Sequence, residues 1–209
     1  VQTKEIRRVM TQAEAGPESP LSIRLRQCSA PDHRGLEEKI GPMQGIMSRD
    51  RYGAMLLMFR ALHALTAALH DGFAGACAAY GIAPPRPGLL AAIDHDLAAL
   101  DWPSAGGAPA IPQDRYPSFA GALGAFYVAE GSALGNVLLL RQADGWLGLQ
   151  PGGATRFLNQ SADGAGLRFQ TFRRGLDAFG LAQPAACDAV LDGARHTFRA
   201  CGAVIDALG

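Results

Sequence analysis

His33 and Glu37, in the segment CSAPDHRGLEE, stand four residues apart and form the first pair in this chain with the makings of a chemical site. Residues at that spacing share one face of a helix. A carboxylate placed there can accept a hydrogen bond from one imidazole nitrogen and leave the other nitrogen for a metal. Such a contact fixes the tautomer and the ring orientation, as metal-bound histidines generally require. His-to-Glu spacings of this kind also arise by chance, so the pair alone equally describes an ordinary surface histidine.

The second candidate is GALGAFYVAEGSALGNVLLLR. It reads as a helix interior, yet it carries Gly121, Gly124, Gly131 and Gly135. Each interior glycine costs about 1 kcal/mol relative to alanine. At about 100° per residue the four fall within an arc of about 80°, a single stripe without side chains. Two occupants suit such a stripe: another helix packed into the groove, or a flat ligand brought close to the backbone. Tyr127, Ser132 and Asn136 lie beside it and supply the few polar groups of an otherwise apolar pocket.

The other titratable residues offer less. His63 and His70 could share a helix face but lack a carboxylate at metal-pair spacing, and they read as core-edge or surface residues. The Asp94-His95-Asp96 triplet reads as a solvated face, because helical neighbours point apart. His196, beside Arg195, falls near the polar side of the last helix. Cys28, Cys77, Cys187 and Cys201 form no two-residue-gap motif and read as reduced, mostly buried thiols.

The elements that must position these residues are helical, since apolar residues recur at helical spacing after about residue 20 and no period-two run is evident. Tyr52, Met55, Leu56, Phe59, Leu62, Leu69 and Phe73 mark one side of a long helix expected to continue through Cys77 to Tyr80. Gly81 and the Pro84-Pro85 pair end it. A shorter helix is expected over 88–100, a long one over 118–143, and further helices over 167–179 and 184–208. The proline- and glycine-rich WPSAGGAPAIPQDRYP and DGWLGLQPGGAT read as connections. Residues 1–20 read as a polar, mobile leader and 21–209 as one helical domain.

With 19 basic and 19 acidic residues the net charge is zero, which removes the electrostatic case for nucleic acid. A 48% apolar composition allows a sizeable core. No unbroken apolar run approaches the roughly 18 residues that would cross a bilayer, and no signal-like stretch opens the sequence. The expectation is therefore a cytoplasmic protein with no membrane partner.

Taken together, the two candidate stretches resemble the haem oxygenase family, in its bacterial, bacteriophytochrome-associated branch. The family's early LRxxTxxxHxxLE-like segment is similar to Leu25, Arg26, Ser29, His33, Leu36 and Glu37, with serine where threonine is usual. Its YVxEGSxLG-like segment is similar to Tyr127, Val128, Glu130, Gly131, Ser132, Leu134 and Gly135. The closing ARHTFRACGAVI, with Thr197 and Phe198, resembles the family's last helix. Two departures stand out. Pro31 and Gly35 bracket His33, so the first helix is expected to kink or start late. Ser132 stands where animal enzymes carry an aspartate, as in bacterial relatives.

The resemblance implies an all-helical cluster with haem b between a proximal helix and the glycine-rich distal helix. It implies His33 as axial ligand to the iron, with Glu37 accepting its other ring proton. Gly131 and Gly135 would steer oxygen toward a meso carbon, while Ser132 and Asn136 hold a water that delivers protons. Arg26 and Tyr127, and more weakly Arg173, would meet the haem propionates. The implied reaction consumes O2 and electrons from a separate ferredoxin or reductase and releases biliverdin, carbon monoxide and ferrous iron, with a bacteriophytochrome as one acceptor of the product. The alternatives are a haem sensor or carrier without turnover, a helical metal-carboxylate oxidase, and a helical interaction module. The oxidase is disfavoured because no Glu-x-x-His pair occurs.

Overall fold

The structure, a computed structural model, describes residues 19–41, 48–102, 109–146 and 153–208. Residues 1–18 of the expected leader lie outside the described residues, as do 103–108 and 147–152 within the two expected connections. Among the described residues all regular structure is helical.

Helix α1 (Leu21–Ile40) runs unbroken through Pro31 and Gly35, so the late start expected from those residues does not occur. Tertiary anchoring outweighs their poor propensity. Leu21, Leu25 and Leu36 are buried on its inner face. Its flank is tied to the last helix by Asp32, 2.8 Å from Arg199 and 3.4 Å from Arg195. These ties set the rotation of the helix and therefore where the neighbouring His33 points.

The central helix is α2 (Arg49–Gly72), begun by Ser48, whose hydroxyl accepts from the Arg51 amide. Met55, Leu56, Leu57, Met58 and Leu62 are buried around several of its sides. The single helix expected up to Tyr80 is broken at Phe73, whose non-helical backbone separates α2 from the short α3 (Ala74–Ala79). The Phe73 ring turns toward Phe119, with centroids 6.0 Å apart, which gives the break a packing reason. Next come α4 (Leu89–Ala99), the long α5 (Phe119–Trp146), α6 (Arg156–Ala162) and α7 (Ala165–Ala182). A 3-10 turn at Pro184–Ala186 leads into α8 (Cys187–Asp206).

By length and composition, α2 and the Phe119–Arg141 part of α5 are apolar enough to cross a membrane, even though neither is an unbroken apolar run. Of those apolar windows, 72% and 50% are buried inside the fold.

The most extensive helix pair is α5 with α8. A Cβ added at Gly124 would run into the backbone of Val190 and Ala194, and one at Gly193 into the backbone of Gly121. The first half of the glycine stripe therefore serves close helix packing. Asp96 corrects another expectation. It is fully buried, and its carboxylate accepts from the amides of Arg156 at 3.0 Å and Phe157 at 2.8 Å. It thus satisfies two of the unpaired N–H groups that open α6, a capping task performed from α4. Burial pushes its carboxyl above the ordinary range, against the pull of those two amides and of His95.

Candidate functional site

Helices α1, α2, α5, α7 and α8 enclose a cavity of about 610 Å³. That volume lies within the roughly 300–1,000 Å³ range of cofactor and ligand pockets. One wall is α1, through Ser29, His33 and Glu37, and another is α5, through Gly131, Ser132 and Gly135. Met55, Met58, Phe59 and Leu62 of α2 contribute apolar surface, as do Phe169 of α7 and Phe198 and Cys201 of α8. The lining is overwhelmingly apolar, with its polar groups in a few places.

On the α1 wall, the expected face-sharing pair is present, with His33 Nδ1 3.5 Å from Glu37 Oε2, an ion-pair distance longer than a formed hydrogen bond. The Phe198 ring packs edge-on against the imidazole at 5.4 Å between centroids. Nδ1 faces Glu37, and a hydrogen bond closed there would leave Nε2 for a ligand. The His33 and Glu37 side chains are 53% and 42% exposed, so the cavity reaches the surface beside them.

On the α5 wall the stripe divides by function. Unlike Gly124, Gly131 has no backbone against it: an added Cβ would meet only Phe169 Cε2, at an ordinary 3.7 Å. Gly131 and Gly135 both line the cavity. Of the two occupants conceivable from sequence, the packed helix is found along Gly121 and Gly124, while Gly131 and Gly135 border the cavity.

Ser132 also lines the cavity, but its hydroxyl donates to the Ala129 carbonyl at 2.8 Å, leaving it only as an acceptor toward a ligand. Asn136 lies fully buried in the cavity wall. Its Nδ2 donates to Ser161 Oγ at 2.8 Å, while its Oδ1 is buried with no partner among the described residues.

Arg26 and Tyr127 form a cationic and phenolic end of the cavity, and Arg34 lines it about two turns further along α1, beside His33. Burial pushes the Tyr127 phenol up, opposed by a hydrogen bond with Ser29 and by the charges of Arg26 and Arg173. Arg173 is not part of the lining; it reaches Ser22 Oγ at 3.4 Å and acts on Tyr127 by charge alone. This end suits carboxylates on a bound molecule. Arg34 was not singled out from sequence, although its place beside His33 was a usable signal.

Position of α5 depends on Glu130, whose carboxylate pairs with Arg168 through Nε at 2.8 Å and Nη2 at 2.6 Å. Arg168 Nη2 also donates to the Pro84 carbonyl at 2.7 Å, so one guanidinium binds α7, α5 and the loop before α4.

Among the described residues no three His, Cys, Asp or Glu side chains gather as a metal site. The donor set of the cavity is one imidazole backed by one carboxylate. Such a set suits a metal whose remaining coordination positions are filled by a macrocycle, and it suits poorly a bare ion held by protein ligands alone. The apolar walls, bare strip of backbone and cationic end fit a flat, apolar molecule bearing carboxylates.

No protein-family model matches the chain, and no curated protein matches it.

Proposed function

We propose that this protein binds haem and cleaves it oxidatively, as a cytoplasmic haem oxygenase of the bacterial kind producing biliverdin, carbon monoxide and ferrous iron. The observation that carries this reading is a single juxtaposition. His33, with Glu37 beside it, and the exposed backbone of Gly131 and Gly135 line one cavity of about 610 Å³.

When bound, haem supplies both the iron that activates O2 and the meso carbon that is oxidised, with electrons from a separate ferredoxin or reductase. The chain's own residues bind, orient and shield. His33 would offer Nε2 to the metal of a bound haem, with Glu37 beside its other nitrogen favouring one tautomer. Arg26 and Tyr127, with Arg34 nearer His33, would offer cationic and phenolic partners to its propionates. Gly131 and Gly135 would leave room beside α5 that any side chain there would take. Ser132 and Asn136 mark the polar corner at which a water can be held for proton delivery. The apolar surface of Met55, Met58, Phe59 and Leu62 excludes bulk water from the remainder.

The test is a single turnover. Protein loaded with one equivalent of hemin is given a reductant and oxygen, and the solution is followed by visible spectroscopy and by carbon monoxide trapping. The expected result is loss of the haem bands with bile pigment and one equivalent of carbon monoxide. Haem that binds through His33 and persists unchanged would make the protein a carrier or sensor. Absence of hemin binding would remove the reading altogether.

A further inference from the structure

A second, much smaller cavity of about 30 Å³ lies against an adjoining face of α5, with His63, Thr66, Ser161, Arg86 and Arg168 among its walls. Among the described residues, two buried side-chain polar atoms have no hydrogen-bond partner, His63 Nε2 and Asn136 Oδ1. Both belong to residues that flank Ser161. Its Oγ accepts from Asn136 Nδ2 at 2.8 Å, and its side chain shares the small cavity with His63. Thr66 donates its own proton to the His63 carbonyl at 3.2 Å, which leaves its oxygen as an acceptor.

Buried polar atoms without partners are destabilising, and proteins commonly satisfy them with ordered water. A polar cavity can hold a water when it offers about 10–15 Å³ or more and at least two polar partners. This cavity meets both conditions. The imidazole beside it is neutral at ordinary pH, because burial and the charges of Arg168 and Arg86 hold His63 down to about 4. A neutral imidazole and a serine hydroxyl can each give or take one hydrogen bond.

We propose that the small cavity holds a structural water bridging His63 and Ser161, and that this bridge locks the Asn136 amide with Nδ2 on Ser161 and Oδ1 toward the large cavity. His63 and Ser161 are then positioning residues. Since Ser132 has already spent its proton on Ala129, the hydroxyl it turns to the large cavity offers only oxygen lone pairs. The ligand atom seated there is a hydrogen-bond donor, such as a water or hydroxyl group. The lock itself stands without the haem reading; its effect on an iron ligand rests on that reading.

The test compares the wild-type chain with Ser161→Ala, Ser161→Thr, His63→Phe and His63→Gln. In hemin-free protein, NMR of the Asn136 side-chain amide is expected to show contacts to the Ser161 methylene and slow solvent exchange. Exchange quickens about two- to tenfold in Ser161→Ala and His63→Phe, the worth of one neutral hydrogen bond. It returns toward wild type in Ser161→Thr and His63→Gln. Amide protons that contact Ser132 instead, or that exchange equally fast in all five proteins, overturn the lock. In the ferric hemin complexes, fluoride (an anion bound by donors) gains affinity about two- to tenfold in Ser161→Ala and His63→Phe, because the freed amide can turn its amino group inward. Unchanged fluoride affinity overturns the cavity-side consequence. Failure of wild type to take up hemin overturns the haem reading alone, and the amide measurement still decides the lock.

Discussion

At the scale of single residues, the proposed haem site gives His33 and Glu37 unequal roles. Removing His33 would take away the nitrogen offered to the iron, whereas removing Glu37 would only loosen the ring that bears it. Losing a carboxylate that orients a metal-bound histidine typically costs about 10–100-fold in affinity. Glu37 is 42% exposed, so solvent can replace part of its role and the low end applies. Glu37→Ala is therefore expected to weaken hemin binding about tenfold, measured by competition with a haem-scavenging globin. This pair was legible in the sequence because helix geometry fixes where a residue four positions on must lie. Asn136 was also legible as a polar neighbour of the stripe, but its partner Ser161, 25 residues away, was not, since nothing local connects them. His63 was legible as a core-edge residue, but not how deeply it lies. Its stacking on Phe59 and contact with Phe157 bury it, and Phe157 arrives from a different helix.

The buried His63 also makes a prediction about pH. Its imidazole titrates at about 4 in the folded chain against 6.5 when unfolded. A depressed folded value means the unfolded chain takes up the proton first. The stability this group confers is thus complete above pH 6.5 and is lost as pH falls through that window toward about 4. The loss amounts to about 3 kcal/mol by linkage. Urea denaturation between pH 7 and pH 4 is expected to show this decline in wild type and a shallower one in His63→Phe, where the ring can occupy the same aromatic cluster. Parallel slopes in the two proteins would show that other groups dominate.

At the scale of elements, the glycine stripe of α5 yields a pair of opposite predictions. Gly124 faces the backbone of α8, so Gly124→Ala must push two helices apart, costing about 1–3 kcal/mol as overpacking does. Gly131 faces the cavity with only Phe169 near, so Gly131→Ala should raise helix stability by up to about 1 kcal/mol. The same substitution should weaken hemin binding, because the added methyl enters the ligand's space. Thermal unfolding of the two variants with and without hemin measures both effects. A Gly131→Ala protein that is more stable and binds hemin as well as wild type would remove the distal wall from the site. The period of the stripe was visible in the sequence, but its division was not, since that depends on where α8 crosses. The continuity of α1 through Pro31 and the break of α2 at Phe73 were likewise hidden, because in each case distant side chains outweigh local propensity. Asp96 illustrates the same limit: a charge flanked by His95 and two residues from Asp94 looks solvated until α6 is known to begin above it.

At the scale of the whole molecule, helical periodicity announced an all-helical protein, as the described residues show. The large cavity emerges only from assembly. Five helices contribute to it, and no segment of the chain carries more than a fraction of its wall. The Asp32 ion pairs tie α1 to α8, and the Glu130–Arg168 bridge ties α5 to α7, so each main wall is fixed to a neighbouring helix. A ligand that binds such a preformed space should stabilise the fold by mass action, about 2.7 kcal/mol at a hundredfold excess over its dissociation constant. The most direct measurement is a hemin titration of wild type and His33→Ala followed in the Soret region, repeated for the variant with added imidazole. The account predicts one hemin per wild-type chain with an imidazole-ligated spectrum, loss of that spectrum in His33→Ala, and its return when free imidazole is supplied. Identical spectra from the two proteins, or no saturable uptake by wild type, would contradict it.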